Sequence, residues 1–392
     1  MSPDAIIVGG GLIGLASAWR AAEEGLSVTV VDPAPASGAS AVAAGMLAPV
    51  GEVDYSEQDL LRLNIASSRR WPAFARELEA ASGQDAGYRQ CGTLLVGFDA
   101  DDARVLEDMH DFRVELGLEV ERLTSRQTRR REPALSPRVR VGIAAPDDHQ
   151  ADPRQALRAL RRAADAAGVE QHHATVVRID QDRARITGVT TDAGERLAAP
   201  TVVVAAGAAS GQLEGLPAGL GARVRPVKGQ LLRLHSRNGD PVLGSVVRGI
   251  VAGRRVYLVP RGDGRLVVGA TQEELGHDTS VTAGAVRMLL DDATRLVPEI
   301  DELELVEARA GLRPGTPDNR PLIGASQGLE GLVWATGHHR NGVLLTPITA
   351  EAVAAVLTGA SPDAVLAVAD PQRPAVQPST TTPAGAATGD PP

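Results

Sequence analysis

Between Val8 and Leu15 the chain places glycine at positions 9, 11 and 14, and this spacing restricts the fold more than any other feature. Ala5-Ile6-Ile7-Val8 before it is a short apolar run of the kind buried in a parallel sheet. Leu15 to Glu24 after it carry Ala, Trp and charges at helical spacing and end at Gly25. Ser27-Val28-Thr29-Val30-Val31 is a second β-rich run that closes on Asp32. Strand, turn, helix and strand within about 30 residues make one βαβ unit. In such a unit Gly9 permits the tight turn, Gly11 lets backbone approach a pyrophosphate, and Gly14 lets the helix pack closely on the strand. Phosphates then sit at the helix N-terminus, where free N–H groups and the dipole favour anions. Asp32 is placed to accept hydrogen bonds from ribose hydroxyls, and an acid there disfavours a 2′-phosphate, which points away from NADP.

The unit alone does not separate FAD from NAD. FAD is favoured by Ser37-Gly38-Ala39-Ser40 and Ala41 to Leu47, a small-residue stretch whose N–H groups suit a pyrophosphate and a flavin ring. Two later segments also read as buried strands that break on glycine: Thr201 to Ala205 running into Gly207, and Gly331 to Ala335 running into Gly337. From Arg223 to Leu305 the pattern changes to short β-type runs, with Val256 to Pro260 and Arg265 to Ala270 a hairpin around 261–264. The predicted fold class is α/β (α+β overall): a Rossmann-like FAD-binding domain with a parallel sheet, and an inserted substrate domain with a large antiparallel sheet. The predicted boundaries are 1–85, 145–220 and 306–360 for the first and 86–144 and 221–305 for the second. Residues 361–392, rich in Pro, Thr, Ala and Gly, are predicted to be a disordered tail.

Forty basic against 49 acidic residues give a net charge of −9, which argues against nucleic acid or anionic membrane as the main partner. No apolar run reaches the roughly 18 residues of a membrane span. The first residues lack a basic n-region, and a single cysteine, Cys91, allows no intrachain disulfide. A cytoplasmic location is therefore expected. No cluster has metal-ligand spacing, since His172-His173 and His338-His339 are adjacent pairs, and no metal is expected.

Four separated motifs occur in order: Ala43-Ala44-Gly45-Met46-Leu47, Arg225-Pro226-Val227-Lys228-Gly229-Gln230, Gly311-Leu312-Arg313-Pro314-Gly315-Thr316, and Gly337-His338-His339-Arg340-Asn341-Gly342-Val343-Leu344-Leu345. Together they resemble the D-amino-acid-oxidase superfamily of flavoenzymes, most closely its glycine oxidases of thiamine biosynthesis, from about residue 5 to about residue 358. The resemblance implies oxidation of a small amine or amino acid to the imine by hydride transfer to flavin N5, with O2 taking the electrons to give H2O2. Glycine would give the imine of glyoxylate for thiazole formation. It implies FAD contacts at Leu12, Ile13, Asp32, Pro33, Ala39, Ser40, Ala44, Gly45, Met46 and Val176, and along His338, His339, Arg340, Asn341, Gly342, Val343 and Leu344. Gly9, Gly11, Gly14 and Gly207 complete the expected cofactor contacts. Arg313 and Arg340 match substrate-contacting positions, and Tyr257 matches the active-site tyrosine. Covalent flavin in the family uses a cysteine near Gly311 to Pro317; none stands there, so non-covalent FAD is implied. The family also implies a homo-oligomer, a tetramer, and a thiamine-pathway partner.

The chemistry accounts for these residue types. A planar guanidinium makes two charge-assisted hydrogen bonds to a carboxylate, which suits Arg313 to clamping an amino acid; the alternative is a surface arginine paired with Asp318. Tyr257 would reach the same carboxylate with its hydroxyl. Hydride removal needs a neutral amine and an aimed C–H, so no general base is required. Two pocket positions depart from the glycine-oxidase pattern: Gln272 stands where a methionine covers the substrate, and Arg255 replaces a histidine two residues before the tyrosine. These departures leave glycine, sarcosine and small D-amino acids open as substrates. Rival readings are an amino-acid dehydrogenase on the same scaffold, a non-catalytic dinucleotide-binding regulator, and a tRNA-modifying flavoenzyme.

Overall fold

The structure, a computed structural model, describes residues 2–374 apart from positions 56, 218 and 220–222. Its first layer is a six-stranded sheet in the order Leu322–Ala325, Leu332–Thr336, Thr201–Val204, Ala5–Val8, Val28–Val31, Glu170–His172. Five of these strands run parallel, and Leu322–Ala325 is an antiparallel edge. Such strands are covered on both faces, which explains why their apolar residues run unbroken. Helices Leu12–Glu23, Gln58–Ser82, Pro153–Ala166 and Thr346–Leu357 form a core on one face with Trp19, Trp71 and Leu157. On the other face a three-stranded sheet brings Ile179, Ile186 and Val189 against Ile6, Val204 and Trp334.

The two glycine-terminated runs flank the first strand in sequence-distant but parallel register, Val8 beside Val204 and Val204 beside Trp334. All three central strands break at their carboxyl ends on a left-handed glycine, Gly9 at φ +111°, Gly207 at +55° and Gly337 at +78°. That edge is where open α/β sheets bind ligands.

The second layer is an eight-stranded sheet in the order Glu304–Gly315, Arg225–His235, Arg265–Gly269, Arg254–Pro260, Val246–Val251, Thr93–Gly97, Val141–Ala145, Glu121–Thr124. All neighbours are antiparallel except Val246–Val251 with Thr93–Gly97. The hairpin around 261–264 forms with Leu258 opposite Val268. The fold is thus mixed α/β, a parallel sheet joined to a large antiparallel one. One boundary moves: the strand Glu304–Gly315 pairs along its length with Arg225–His235, so 306–315 belongs to the antiparallel sheet and not to the nucleotide lobe. The tail expectation also changes. A 3-10 turn at Ala364–Ala369 buries Leu366 and Ala369 against Leu60, Leu63, Ile323 and Ile348. Arg373 forks onto Asp318 at 2.8 and 2.9 Å and donates to the carbonyls of Arg320 and Pro321. Residues 361–374 are therefore ordered by apolar packing and a buried ion pair, while 375–392 lie outside the described residues.

Candidate active site

The site begins at the glycine turn. A Cβ on Gly14 would overlap the Gly9 carbonyl, and one on Gly9 would overlap the Ala205 carbonyl, so both positions admit only glycine. Helix Leu12–Glu23 opens on Gly11 without a side-chain cap, although the Ser40 hydroxyl accepts from the Leu12 N–H at 3.1 Å. Asp32 does more than wait for a ribose. Its carboxylate accepts from the N–H of Gly10 at 2.6 Å and of Ala34 at 2.8 Å, which ties the strand end to the turn.

A cavity of about 1110 Å³ runs from this turn to the antiparallel sheet. It matches the upper end of the ~300–1,000 Å³ typical of small-molecule sites. Gly9, Gly11, Leu12, Ile13, Asp32, Pro33, Ala39, Ser40, Ala44, Gly45, Met46, Val176 and Gly207 line it, Ala44 and Met46 packing in one cluster with Tyr257. His338, His339, Arg340, Gly342 and Val343 line it as well. Gly14, Asn341 and Leu344 are not on its wall; the Leu344 carbonyl instead accepts from Ser67 and Trp71 in the core. An uncapped helix start, a left-handed Gly45 and a long cavity floored by small residues fit the phosphate, ribose and ring of a dinucleotide.

The loop after Gly337 is buried and electrically quiet. Burial drives both imidazoles down to about 3, aided at His339 by Arg340, Arg313 and Arg225, so both are neutral at physiological pH. His338 Nε2 meets the Thr349 hydroxyl at 3.0 Å, while buried His339 Nδ1 and Asn341 Oδ1 have no partner among the described residues.

The far end is built by strand alternation. Side chains two apart share a face, and across the sheet Arg309, Leu231, Gly269, Tyr257, Arg248 and Leu95 fall in register on the cavity side. Gly311 and Arg313 continue that face along their strand. Two glycines make room for the candidate groups. A Cβ on Gly229 would overlap the Arg313 guanidinium, and one on Gly269 would overlap the Tyr257 hydroxyl. Arg313 Nη1 donates to the carbonyls of Lys228 and Thr271, each at 3.3 Å. Among the described residues no carboxylate pairs with Arg313; Asp318, five residues along the chain, is taken by Arg373 and Arg320. Burial pushes the Tyr257 hydroxyl up, keeping it protonated.

The other arginines of this end are neutralised. Arg340 pairs with Glu57 and donates to the Glu52 carbonyl; burial opposes its charge, but Glu52 and Glu57 prevail and raise its pKa. Its side chain is thereby held by protein acids. Arg248 pairs with Glu52 at 2.8 Å, and exposed Arg255 with Asp54 at 3.1 Å. Gln272 lines the wall beside Thr271. Sequence reasoning missed Glu52 and Arg248, and missed how their segment is fixed. Arg113, fully buried, donates to the carbonyls of Val50 and Gly51 at 2.9 Å, while Asp148 accepts from both their N–H groups. Burial lifts Asp148 to about 7 and lowers Arg113 to about 10.

Among the described residues no helix is long and apolar enough to cross a membrane, and no three metal-ligating side chains come together. Comparison with known proteins places this geometry. Residues 4–356 match the family described as DAO, FAD dependent oxidoreductase. The bifunctional protein ThiO/ThiG of Synechocystis sp. is 36% identical over 373 residues, 94% of this chain and 54% of that protein. The chain spans about half the length of the bifunctional relatives it matches. The glycine oxidase of Geobacillus kaustophilus is 35% identical over 354 residues, 90% of this chain and 92% of that protein. The crystal structure of glycine oxidase from Geobacillus kaustophilus has a TM-score of 0.87 at 33% identity, covering 95% of this chain and 99% of that one. That of iminodiacetate oxidase from Chelativorans sp. BNC1 has a TM-score of 0.83 at 25% identity, covering 94% and 98%. With its parallel sheet, glycine turn and long cavity, the chain belongs to the DAO family of FAD-dependent oxidoreductases.

Proposed function

We propose that the protein oxidises small amino acids, glycine first among them, converting glycine, O2 and H2O to glyoxylate, NH3 and H2O2 by way of the imine. One observation carries the reading: Arg313 projects into the cavity beside Tyr257 as a guanidinium without a carboxylate partner among the described residues. A half-buried cation in that state is a receptor for an anion, and a planar fork with two donors suits a carboxylate.

The Gly9–Leu12 turn, Asp32, the Ala39–Met46 stretch, Val176, Gly207 and the loop from His338 would hold FAD non-covalently. When bound, FAD supplies the two-electron acceptor for a hydride leaving the substrate Cα. The work of the chain is orientation. Arg313 and the Tyr257 hydroxyl fix the carboxylate, which sets where Cα lies. The neutral imidazoles of His338 and His339 add no cation to the loop, and the Arg340 charge is absorbed by Glu57. No residue is required to abstract the Cα proton as a base. Supply of the imine to thiamine thiazole synthesis, which the family resemblance implies, forms part of the proposal.

The test is an oxygen-electrode screen of the yellow holoenzyme with glycine, sarcosine, N-ethylglycine and D-alanine, with H2O2 measured in parallel. Oxygen uptake with glycine, matched by H2O2, is expected. Reduction of flavin without oxygen uptake would identify a dehydrogenase, and a colourless protein inert to all four would remove the flavoenzyme reading.

A further inference from the structure

Five arginines line the cavity; Arg309 turns toward Glu307 and the Ser37 carbonyl, beside the small-residue stretch of the nucleotide end, and Arg248, Arg255, Arg313 and Arg340 remain at the substrate end. Three are matched by acids from one short stretch of chain: Glu52 with Arg248, Asp54 with Arg255, Glu57 with Arg340. Arg313 has no such match among the described residues. The end therefore carries one uncompensated positive charge, the complement of one carboxylate.

Glu52 is the acid of this set that lines the cavity; the other lining acids, Asp32 and Glu214, lie at the nucleotide end. Its side chain is only 10% exposed and serves two arginines, Arg248 at 2.8 Å and Arg340 at 3.9 Å. Arg248 stands directly across the strand pair from Tyr257, and one strand beyond it the wall turns apolar at Leu95. Arg248 Nη1 is buried and, despite its ion pair, makes no well-directed hydrogen bond. The backbone that carries Glu52 is clamped from both sides, by Arg113 on its carbonyls and Asp148 on its amides. This fixes the backbone from which the Glu52 side chain extends.

We propose that Glu52 is a specificity-determining residue: by neutralising Arg248 and Arg340 it limits the pocket to ligands with a single carboxylate. This rests on the amino-acid oxidase reading. A second carboxylate, on the nitrogen substituent or on the side chain of a D-amino acid, would have to lie against the Glu52 charge in a poorly solvated wall, and like charges at that range repel strongly. Without the Glu52 charge, Arg248 becomes a second anion receptor one strand from Tyr257, and dicarboxylic amines become acceptable. The residue thus sets substrate class without contacting the reacting bond.

The probes are butyrate and glutarate, which lack an amine and cannot react; glutarate has the shape of iminodiacetate with a methylene in place of nitrogen. Binding to FAD-loaded wild-type protein, Glu52→Gln, Glu52→Asp and the double variant Glu52→Gln with Arg248→Met is measured by titration calorimetry. Wild type is expected to favour butyrate over glutarate by at least about tenfold. Glu52→Gln should strengthen glutarate at least about tenfold relative to butyrate, Glu52→Asp should stay near wild type, and the double variant should lose the gain. Wild type that binds the two ligands equally overturns the proposal, and this arm does not depend on any variant folding. A glutarate-to-butyrate ratio unmoved in a folded Glu52→Gln overturns it as well. Discrimination kept in a protein that fails to oxidise glycine would instead sink the oxidase reading and leave Glu52 in its role.

Discussion

Arg313 and Tyr257 owe their placement to glycines that lie opposite them. Gly229 and Gly269 leave the space that the guanidinium and the phenol occupy, so the positions of both side chains depend on residues that bear none. Tyr257→Phe is expected to lower kcat/KM for glycine about tenfold, the worth of one hydrogen bond to a charged group, while the flavin spectrum stays intact. Gly269→Ala should reproduce that loss by displacing the ring, and steady-state kinetics on the two variants checks both. The buried loop histidines add a pH dependence. His338 is held at about 3 in the fold against 6.5 when free, so the unfolded chain binds the extra proton between those values. Stability is then full above pH 6.5 and falls as pH drops toward 3, by roughly 2 kcal/mol between neutrality and pH 5 for this group. Thermal melts from pH 7 to pH 5 should show at least that slope, and His338→Gln should remove this group's share of it while leaving that of His339. Arg313 and Tyr257 were singled out by the resemblance of their segments to a known family, and the structure brings both to the cavity wall. Glu52 and Arg248 were not singled out, because an ion pair between a loop and a distant strand leaves no periodic trace in either segment.

At the scale of elements, the first βαβ unit was readable almost to the residue, since its glycines are demanded by backbone geometry alone. Gly9 and Gly14 admit no Cβ, and the unit therefore announces itself without tertiary context. Gly11 is different. A Cβ there meets only the Ser40 hydroxyl at 3.2 Å, so the constraint comes from what occupies the cavity and not from the protein. Gly11→Val should accordingly fold with a melting temperature near wild type but purify without FAD, as read by absorbance near 450 nm; a yellow, active variant would remove the pyrophosphate from this turn. The strand Glu304–Gly315 was harder to place. It is an edge strand whose first three residues are exposed and most of the rest half-buried, so its alternation is blurred, and proximity in sequence to the final parallel strand drew 306–315 away from the antiparallel sheet it pairs with. Its pairing with Arg225–His235 is a long-range contact, and it is this pairing that sets Arg313 over Gly229.

Over the whole molecule, two sheets enclose one cavity, and the last described segment fastens them. Leu366 and Ala369 seal a cluster under helix Gln58–Ser82, and Arg373 holds the turn that follows the Arg313 strand through Asp318, with both partners about nine-tenths buried. Composition made this segment look unstructured, because its few apolar residues pack only against partners distant in sequence. Arg373→Ala should cost roughly 3 kcal/mol of stability by leaving Asp318 partly unpaired, a loss that denaturant unfolding would register. Its two-lobed plan and its glycine loop place the chain in the DAO family, while the choice of an amino acid as substrate rests on one guanidinium. The most direct test is therefore the steady-state kinetics of glycine oxidation by wild type and Arg313→Ala, each with its FAD content measured. Arg313→Ala is expected to retain its flavin spectrum and to raise KM for glycine by at least about a hundredfold, the loss of a bidentate charged pair. An unchanged KM in a flavin-loaded variant would contradict the carboxylate clamp and with it the assignment of the substrate.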